Sequence, residues 1–155
     1  MSKNTRFLTH AAVIAALYAV LTHLQNVLLP GSTTWAIQMR LSEALCVLSF
    51  FTPAAIPGLT VGCLVFNITY AAALPLDFLV GSLATLLAAG GMWLTRRVTV
   101  KGYPLVGMAM PALFNALLVG WELTVYIGGG FFLNALYVAL GELAVLLTFG
   151  TVLFY

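Results

Sequence analysis

The chain is 155 residues long, 63% hydrophobic and only 6% charged, with a mean hydropathy of +1.09. Soluble domains carry about 25% charged residues, and six Lys and Arg with four Asp and Glu cannot furnish a solvated surface. Most of the surface must therefore face lipid, the length suits one domain, and a net charge of +2 is too slight to indicate a nucleic-acid partner.

A membrane-spanning helix needs about 20 apolar residues. Hydropathy predicts six: Phe7–Leu24, the short Leu41–Phe51, Ile56–Ala73, Phe78–Leu94, Leu105–Ile127 and Phe131–Phe154. The segments LPGSTT, TPAAIPG, ALPLD, RRVTVKGYP and IGGG separate them with turn chemistry. The first run is too long, and lacks a small-residue cleavage site, for a removable signal peptide. The expected fold is all-α: a polytopic membrane protein of six transmembrane helices, forming one transmembrane domain over 1–155.

Basic residues set the expected orientation. Lys3 and Arg6 precede the first helix, and Arg96, Arg97 and Lys101 lie between the fourth and fifth. Six spans put both groups on one side with the C-terminus, and an excess of Lys and Arg marks that side as cytoplasmic. Arg40 is left alone on the outer side, with the loop from Gln25 to Met39, the turn carrying Asp77 and the IGGG turn. On this reading Glu122 lies about 8 Å below the outer end of its helix and Glu142 about 16 Å below, near mid-membrane.

Ionisable groups inside the membrane cost about 2.5–3.5 kcal/mol each on insertion scales and commonly mark function. Glu43, Glu122 and Glu142 are that set, with Asn67 and Asn115 as polar company. Asn115 and Glu122 share a helical face, and Asn134 and Glu142 roughly converge on the next helix. Together they predict a polar pocket open to the outside. Blander roles stand beside this one. Asn67 and Asn115 suit interhelical hydrogen bonding, Arg40 and Glu43 suit a local ion pair, and Asp77 suits a helix N-terminus. Trp35, Trp121 and Tyr126 fit an interfacial belt as well as a stacking platform. His23 fits the interface, and Cys46 and Cys63, which show no metal or redox spacing, fit packing. The small-residue pairs Ala11/Ala15, Ala12/Ala16 and Gly58/Gly62 fit close helix contacts, within the chain or with a partner subunit. No phosphate-binding glycine loop or hydrolase motif is present, so the chain has no energy source of its own for active transport.

The stretch IQMRLSEALCVLSFFTPAAIPGLTVGCLVFN (Ile37–Asn67) resembles the QueT family of substrate-binding S components of energy-coupling factor (ECF) transporters. So do TRFLTHAAVIAALYAVLT near the N-terminus, Asp77–Ala89, FNALLVGWEL (Phe114–Leu123) and FFLNALYVALGEL (Phe131–Leu143). The resemblance covers nearly the whole chain in order. It implies a six-helix S-component bundle with both termini cytoplasmic, in the plasma membrane of a prokaryote, and no enzyme activity. It implies a transmembrane scaffold subunit and two cytoplasmic ATPases as partners, with Ala11, Ala12, Ala15 and Ala16 matching the docking motif of the first helix. It also implies a queuosine precursor as substrate, a 7-deazaguanine such as preQ1 or queuine, with no cofactor in this chain. The residues expected to bind it are Glu122, Glu142, Asn134, Arg40, Glu43, Gln38, Asp77, Asn67 and Asn115, with Trp35, Trp121 or Tyr137 as stacking partner. Carboxylates suit a donor-rich edge and a cationic aminomethyl group. The competing readings are an S component for another vitamin and a small membrane protein with no transported substrate.

Overall fold

A computed structural model describes residues 2–33, 39–70 and 72–155. Among them all regular structure is helical, apart from one isolated bridge between Val100 and Tyr103. Helix α1 (Lys3–Leu28) opens on Ser2, whose hydroxyl accepts the Thr5 N–H at 3.1 Å. It runs four residues past the expected end, so Gln25 and Asn26 belong to a helix face and the loop starts only at Leu29. Pro30 follows, and it cannot continue a helix.

The second segment, Leu41–Phe50, is a 3-10 helix. The tighter winding rises about 2.0 Å per residue, so ten residues reach about 20 Å. Seven of its ten residues are buried, and it packs against α1 and against the later helices. Helix α2 (Ala55–Thr69) carries Pro57 in its first turn, where a missing N–H costs nothing. It stops four residues short of the expected Ala73, because Tyr70 is already extended. Helix α3 spans Asp77–Thr95. The fifth expected segment is split into α4 (Leu105–Met108) and α5 (Met110–Tyr126). Pro111 supplies no N–H and crowds the carbonyl four residues back, which breaks the ladder at Ala109. The last runs as α6 (Phe131–Val145), a π turn over Leu146–Gly150 and α7 (Thr151–Phe154).

Helix–helix contacts order the bundle. Gly58 of α2 lies against Ala11 and Ile14, Gly62 against Ala15 and Tyr18, and His23 bonds Thr69 at 2.9 Å, so α1 and α2 run parallel. The 3-10 helix returns between them. Asn67 meets the start of α3, while Gly91 meets Met110 near the α5 start. Gly120 lies against Ala135 across the α5–α6 turn. One end of the bundle therefore holds the starts of α1, α2 and α5 and the ends of α3 and α7. There Tyr103 bonds Thr151 at 2.7 Å and packs edge-on to Phe154. Lys3, Arg6, Arg96, Arg97 and Lys101 all sit at this end, and Arg96 stacks on Trp93 at 3.6 Å.

Among the described residues, four helical stretches are long and apolar enough to cross a membrane: Lys3–Leu28, Asp77–Thr95, Leu105–Tyr126 and Phe131–Phe154. Leu41–Phe50 and Ala55–Thr69 are shorter apolar helices. Leucines, valines and phenylalanines cover the outside, among them Val20, Val27, Leu79, Leu94, Phe132 and Val152.

The glycines of α2 set how closely α1 approaches. A Cβ on Gly62 would lie 2.7 Å from the Tyr18 Cβ and 2.8 Å from the Ala15 carbonyl oxygen, whereas one on Gly90 would meet nothing within 4 Å. Gly62→Ala should therefore lower stability by about 1–3 kcal/mol. Gly90→Ala should be neutral or stabilise by up to about 1 kcal/mol. Thermal unfolding in detergent reads both, and equal shifts would contradict this packing.

Candidate functional site

At the opposite end from the five basic residues, the bundle encloses a polar cluster. Burying a charge in apolar surroundings is expensive unless it is paired, yet all four acidic side chains of the chain are buried. Glu122 is 0% exposed, Glu43 1%, Glu142 3% and Asp77 4%, with Arg40 at 4%. Arg40 is the hub. Its Nη2 lies 3.3 Å from Asp77 Oδ2, its Nε donates to the Thr33 carbonyl at 3.1 Å, and its guanidinium stands 5.8 Å from the Phe66 ring. The ion pair of Arg40 is thus with Asp77, 37 residues away, rather than with Glu43 three residues on. Asp77 lies in the first turn of α3 but makes no capping bond there.

Asn67 donates to the Asp77 carbonyl at 2.8 Å, tying the end of α2 to the start of α3. A Cβ on Gly81 would lie 2.9 Å from both Asn67 Nδ2 and Asp77 Oδ1, so glycine there gives this corner its room. Glu43 is held by two donors, the Tyr18 hydroxyl and the Cys46 thiol, the latter at 3.1 Å. The two cysteines do more than pack, since Cys63 Sγ lies 3.6 Å from Asn67 Nδ2 and 4.0 Å from Arg40 Nη1.

The remaining polar groups divide differently. Both oxygens of Glu122, Glu142 Oε2, Asp77 Oδ1 and Asn67 Oδ1 are buried acceptors with no partner among the described residues, and Asn115 Nδ2 is a buried donor in the same condition. Arg40 acts electrostatically on both Glu122 and Glu142, Asp77 on Glu122, and Glu43 on Glu142. Native interiors leave few polar groups unsatisfied, and each such group calls for an explanation.

The other expected site residues are placed apart. Asn134 spends its amide nitrogen on Thr124 Oγ1 and the Gly128 carbonyl, both at 3.0 Å, so that nitrogen fastens the α5–α6 turn. Trp121 is 49% exposed on the outer face of α5, and Tyr126 is exposed as well. Neither is among the buried residues of the cluster, because Glu122 and not its neighbour takes the inward position. Tyr137 is half-buried. Trp35 and Gln38 lie outside the described residues.

An α1 face outside the expected site residues anchors the site. Tyr18, Thr22, Gln25 and Asn26 are buried together. Thr22 bonds Ser42 at 2.7 Å, and Asn26 accepts from Thr33 at 2.9 Å. Gln25 donates to Ser32 at 2.9 Å and to the Met39 carbonyl, and accepts the Leu41 N–H at 2.8 Å. These bonds tie both ends of the loop after α1 to α1 itself. The signal was available: polar residues at 18, 22, 25 and 26 keep helical spacing in an otherwise apolar segment.

An all-helical bundle with an apolar exterior suits a membrane, and its buried charged cluster is the candidate site. Residues 8–155 match the family described as QueT transporter, and the chain belongs to that family. It is thus a membrane transport component. No curated protein and no solved structure matches it.

The Arg40–Asp77 pair yields a prediction. Removing one partner leaves a buried charge alone, which costs about 3–5 kcal/mol. Arg40→Gln should destabilise by that order, while Arg40→Gln with Asp77→Asn should cost clearly less than the sum of the single changes. Denaturation in detergent of the four proteins tests this, and strict additivity would count against the pairing.

Proposed function

We propose that this chain is the substrate-binding S component of an ECF transporter and that it captures a queuosine precursor, a 7-deazaguanine such as preQ1 or queuine, from outside the cell. The observation that carries this reading is the cluster's unmet hydrogen-bonding capacity. Among the described residues, five buried carboxylate and amide oxygens lack partners, against one amide nitrogen and the hydroxyls of Ser49 and Ser82. A ligand rich in N–H donors, with a positive charge, is the complement, because bonds from such donors to carboxylates are charge-assisted. An acidic vitamin would meet four carboxylates around one arginine.

In this proposal the six helical segments all cross the plasma membrane of a prokaryote. The end carrying five basic residues faces the cytoplasm with both termini, and the Arg40 end faces out. The 3-10 helix and α2 cross where the surrounding helices shield them. The site is formed by Arg40, Glu43, Asp77, Asn67, Asn115, Glu122 and Glu142, with Asn134 securing its rim, and Gln38 and Trp35 remain candidates from the sequence. The protein binds its solute and performs no chemistry on it. Energy comes from partners, a transmembrane scaffold and two cytoplasmic ATPases.

The docking face lies on α1. Ala11 and Ala15 are half-buried against α2, whereas Ala12 and Ala16 are exposed. With Leu8, Pro57 and Val61, three of these alanines (Ala11, Ala12, Ala15) line an apolar groove of about 270 Å³. Small side chains permit close helix approach in lipid, so this groove suits a scaffold helix.

Two measurements test the proposal. Calorimetry on the purified protein should show saturable binding of 7-aminomethyl-7-deazaguanine; no binding of it or of queuine, with tight binding of an unrelated vitamin, would remove the substrate. Ala12→Trp should abolish co-purification with the scaffold and ATPases while ligand binding in detergent stays unchanged. Retention of the complex would remove the docking face.

A further inference from the structure

All four acidic side chains are buried in the cluster around Arg40, and among the described residues the only ion pair is Arg40–Asp77. The five cations at the basic end therefore have no countercharge among those residues. Three of them, Arg96, Arg97 and Lys101, lie within six residues on the connection from α3 to α4.

That connection has a defined shape. Val100 and Tyr103 exchange backbone bonds of 2.8 and 3.1 Å, which closes a two-residue turn. Both central residues have positive φ, Lys101 at 52° and Gly102 at 83°. Turns of this kind favour Asn-Gly or Asp-Gly, because the left-handed region crowds an ordinary Cβ. A lysine stands there all the same, exposed at the tip. Tyr103 fixes the turn to the end of the last helix through its bond to Thr151 and its edge contact with Phe154. At the start of the connection, the Arg96 guanidinium lies 3.6 Å from the Trp93 ring and its Nη1 donates to the Trp93 carbonyl at 2.6 Å. Two of the three cations are thus held in place.

Exposed apolar side chains accompany them. Leu83, Leu87 and Leu94 form an exposed stripe along α3, and Val98 and Val100 are exposed on the connection itself. Water solvates the cations but not the valines. The boundary between headgroups and acyl chains suits both, and tryptophan concentrates at that depth.

We propose that the α3–α4 connection is a binding site for an anionic phospholipid. Arg97, Lys101 and the Trp93-seated Arg96 take the headgroup charge, while Leu94, Val98 and Val100 rest on the acyl chains. A zwitterionic headgroup carries no net charge, so phosphatidylglycerol binds in preference to phosphatidylcholine. The site is independent of the solute captured at the Arg40 end.

The test uses the full chain in nanodiscs of equal phosphatidylglycerol and phosphatidylcholine, with native mass spectrometry reading which lipid stays bound. The parent should retain phosphatidylglycerol in excess, and less so as salt rises. Arg97→Gln with Lys101→Asn should lower that preference about tenfold. Asparagine suits the turn, so this variant loses charge and keeps the fold. Lys3→Gln with Arg6→Gln lowers the net charge equally, but on α1, which packs mainly on α2 and the 3-10 helix. It should leave the preference nearly unchanged. Equal loss in the two double variants would mean a diffuse positive field and overturn the site. No preference in the parent would overturn it too, as would displacement of the lipid by inorganic phosphate. If the Arg97 and Lys101 variant keeps its lipid but loses the co-purifying scaffold and ATPases, the surface belongs to a protein partner and the lipid site is wrong.

Discussion

The rest of the structure hangs on the ion pair between Arg40 and Asp77. A guanidinium withdrawn from water inside an apolar bundle must find a countercharge and further acceptors, or the bundle does not close. Arg40 takes both from distant parts of the chain: the Asp77 carboxylate at the start of α3 and the Thr33 carbonyl in the loop after α1. Asn67, at the end of α2, holds the Asp77 backbone from the other side. One cation therefore fastens the loop, the entry to the 3-10 helix and the α2–α3 connection at a single point. The arrangement also fixes the sign of the cluster, since three further carboxylates are buried beside one arginine already engaged with the fourth.

Satisfied and unsatisfied carboxylates do different work. Glu43 receives a hydroxyl and a thiol, so it behaves as a structural group joining α1 to the 3-10 helix. Glu122 and the free oxygen of Glu142 receive nothing from the described residues. Folding alone does not explain why an apolar bundle should keep such groups, whereas a donor-rich ligand does. In the proposed function, the stability of the fold and the capture of a solute would thus draw on the same small set of residues, split between those the chain satisfies and those it leaves unpartnered.

Much of this was legible in the sequence, for physical reasons. Long apolar runs bounded by Pro and Gly clusters placed the helical segments to within a few residues, and rarity alone marked the intramembrane carboxylates. Local spacing failed where partners were distant. Arg40 and Glu43 are three apart and suggest a local pair, yet the arginine reaches across 37 positions to Asp77. The inward position on α5 belongs to Glu122, which leaves its neighbour Trp121 facing outward. Asn134 shows the same limit, since the glycine turn that brings α6 back also consumes its amide. The 3-10 winding of Leu41–Phe50 has no period that hydropathy could reveal, because most of its sides are buried. The polar stripe of Tyr18, Thr22, Gln25 and Asn26 was readable by its helical spacing, but no single member of it is charged, and charge was what drew attention.

The two ends of the molecule answer to different forces, and this separation suits a carrier that relies on partners. At the Arg40 end, cohesion is electrostatic and directional, so it tolerates little change in geometry without losing a bond. At the basic end, cohesion comes from ring packing around Phe154 and from the glycine contacts of α2 against α1. The small residues that draw α2 onto α1 leave Ala12 and Ala16 exposed beside that contact. In the proposed function a partner would dock there without disturbing a carboxylate, because no acidic side chain lies at that end, where Lys3 and Arg6 stand in the first turns of α1 and the other cations on the connection after α3. In the proposed function, solute recognition and partner recognition would thus occupy opposite ends of α1, whose polar face bonds the loop after it and whose Ala12 and Ala16 are exposed.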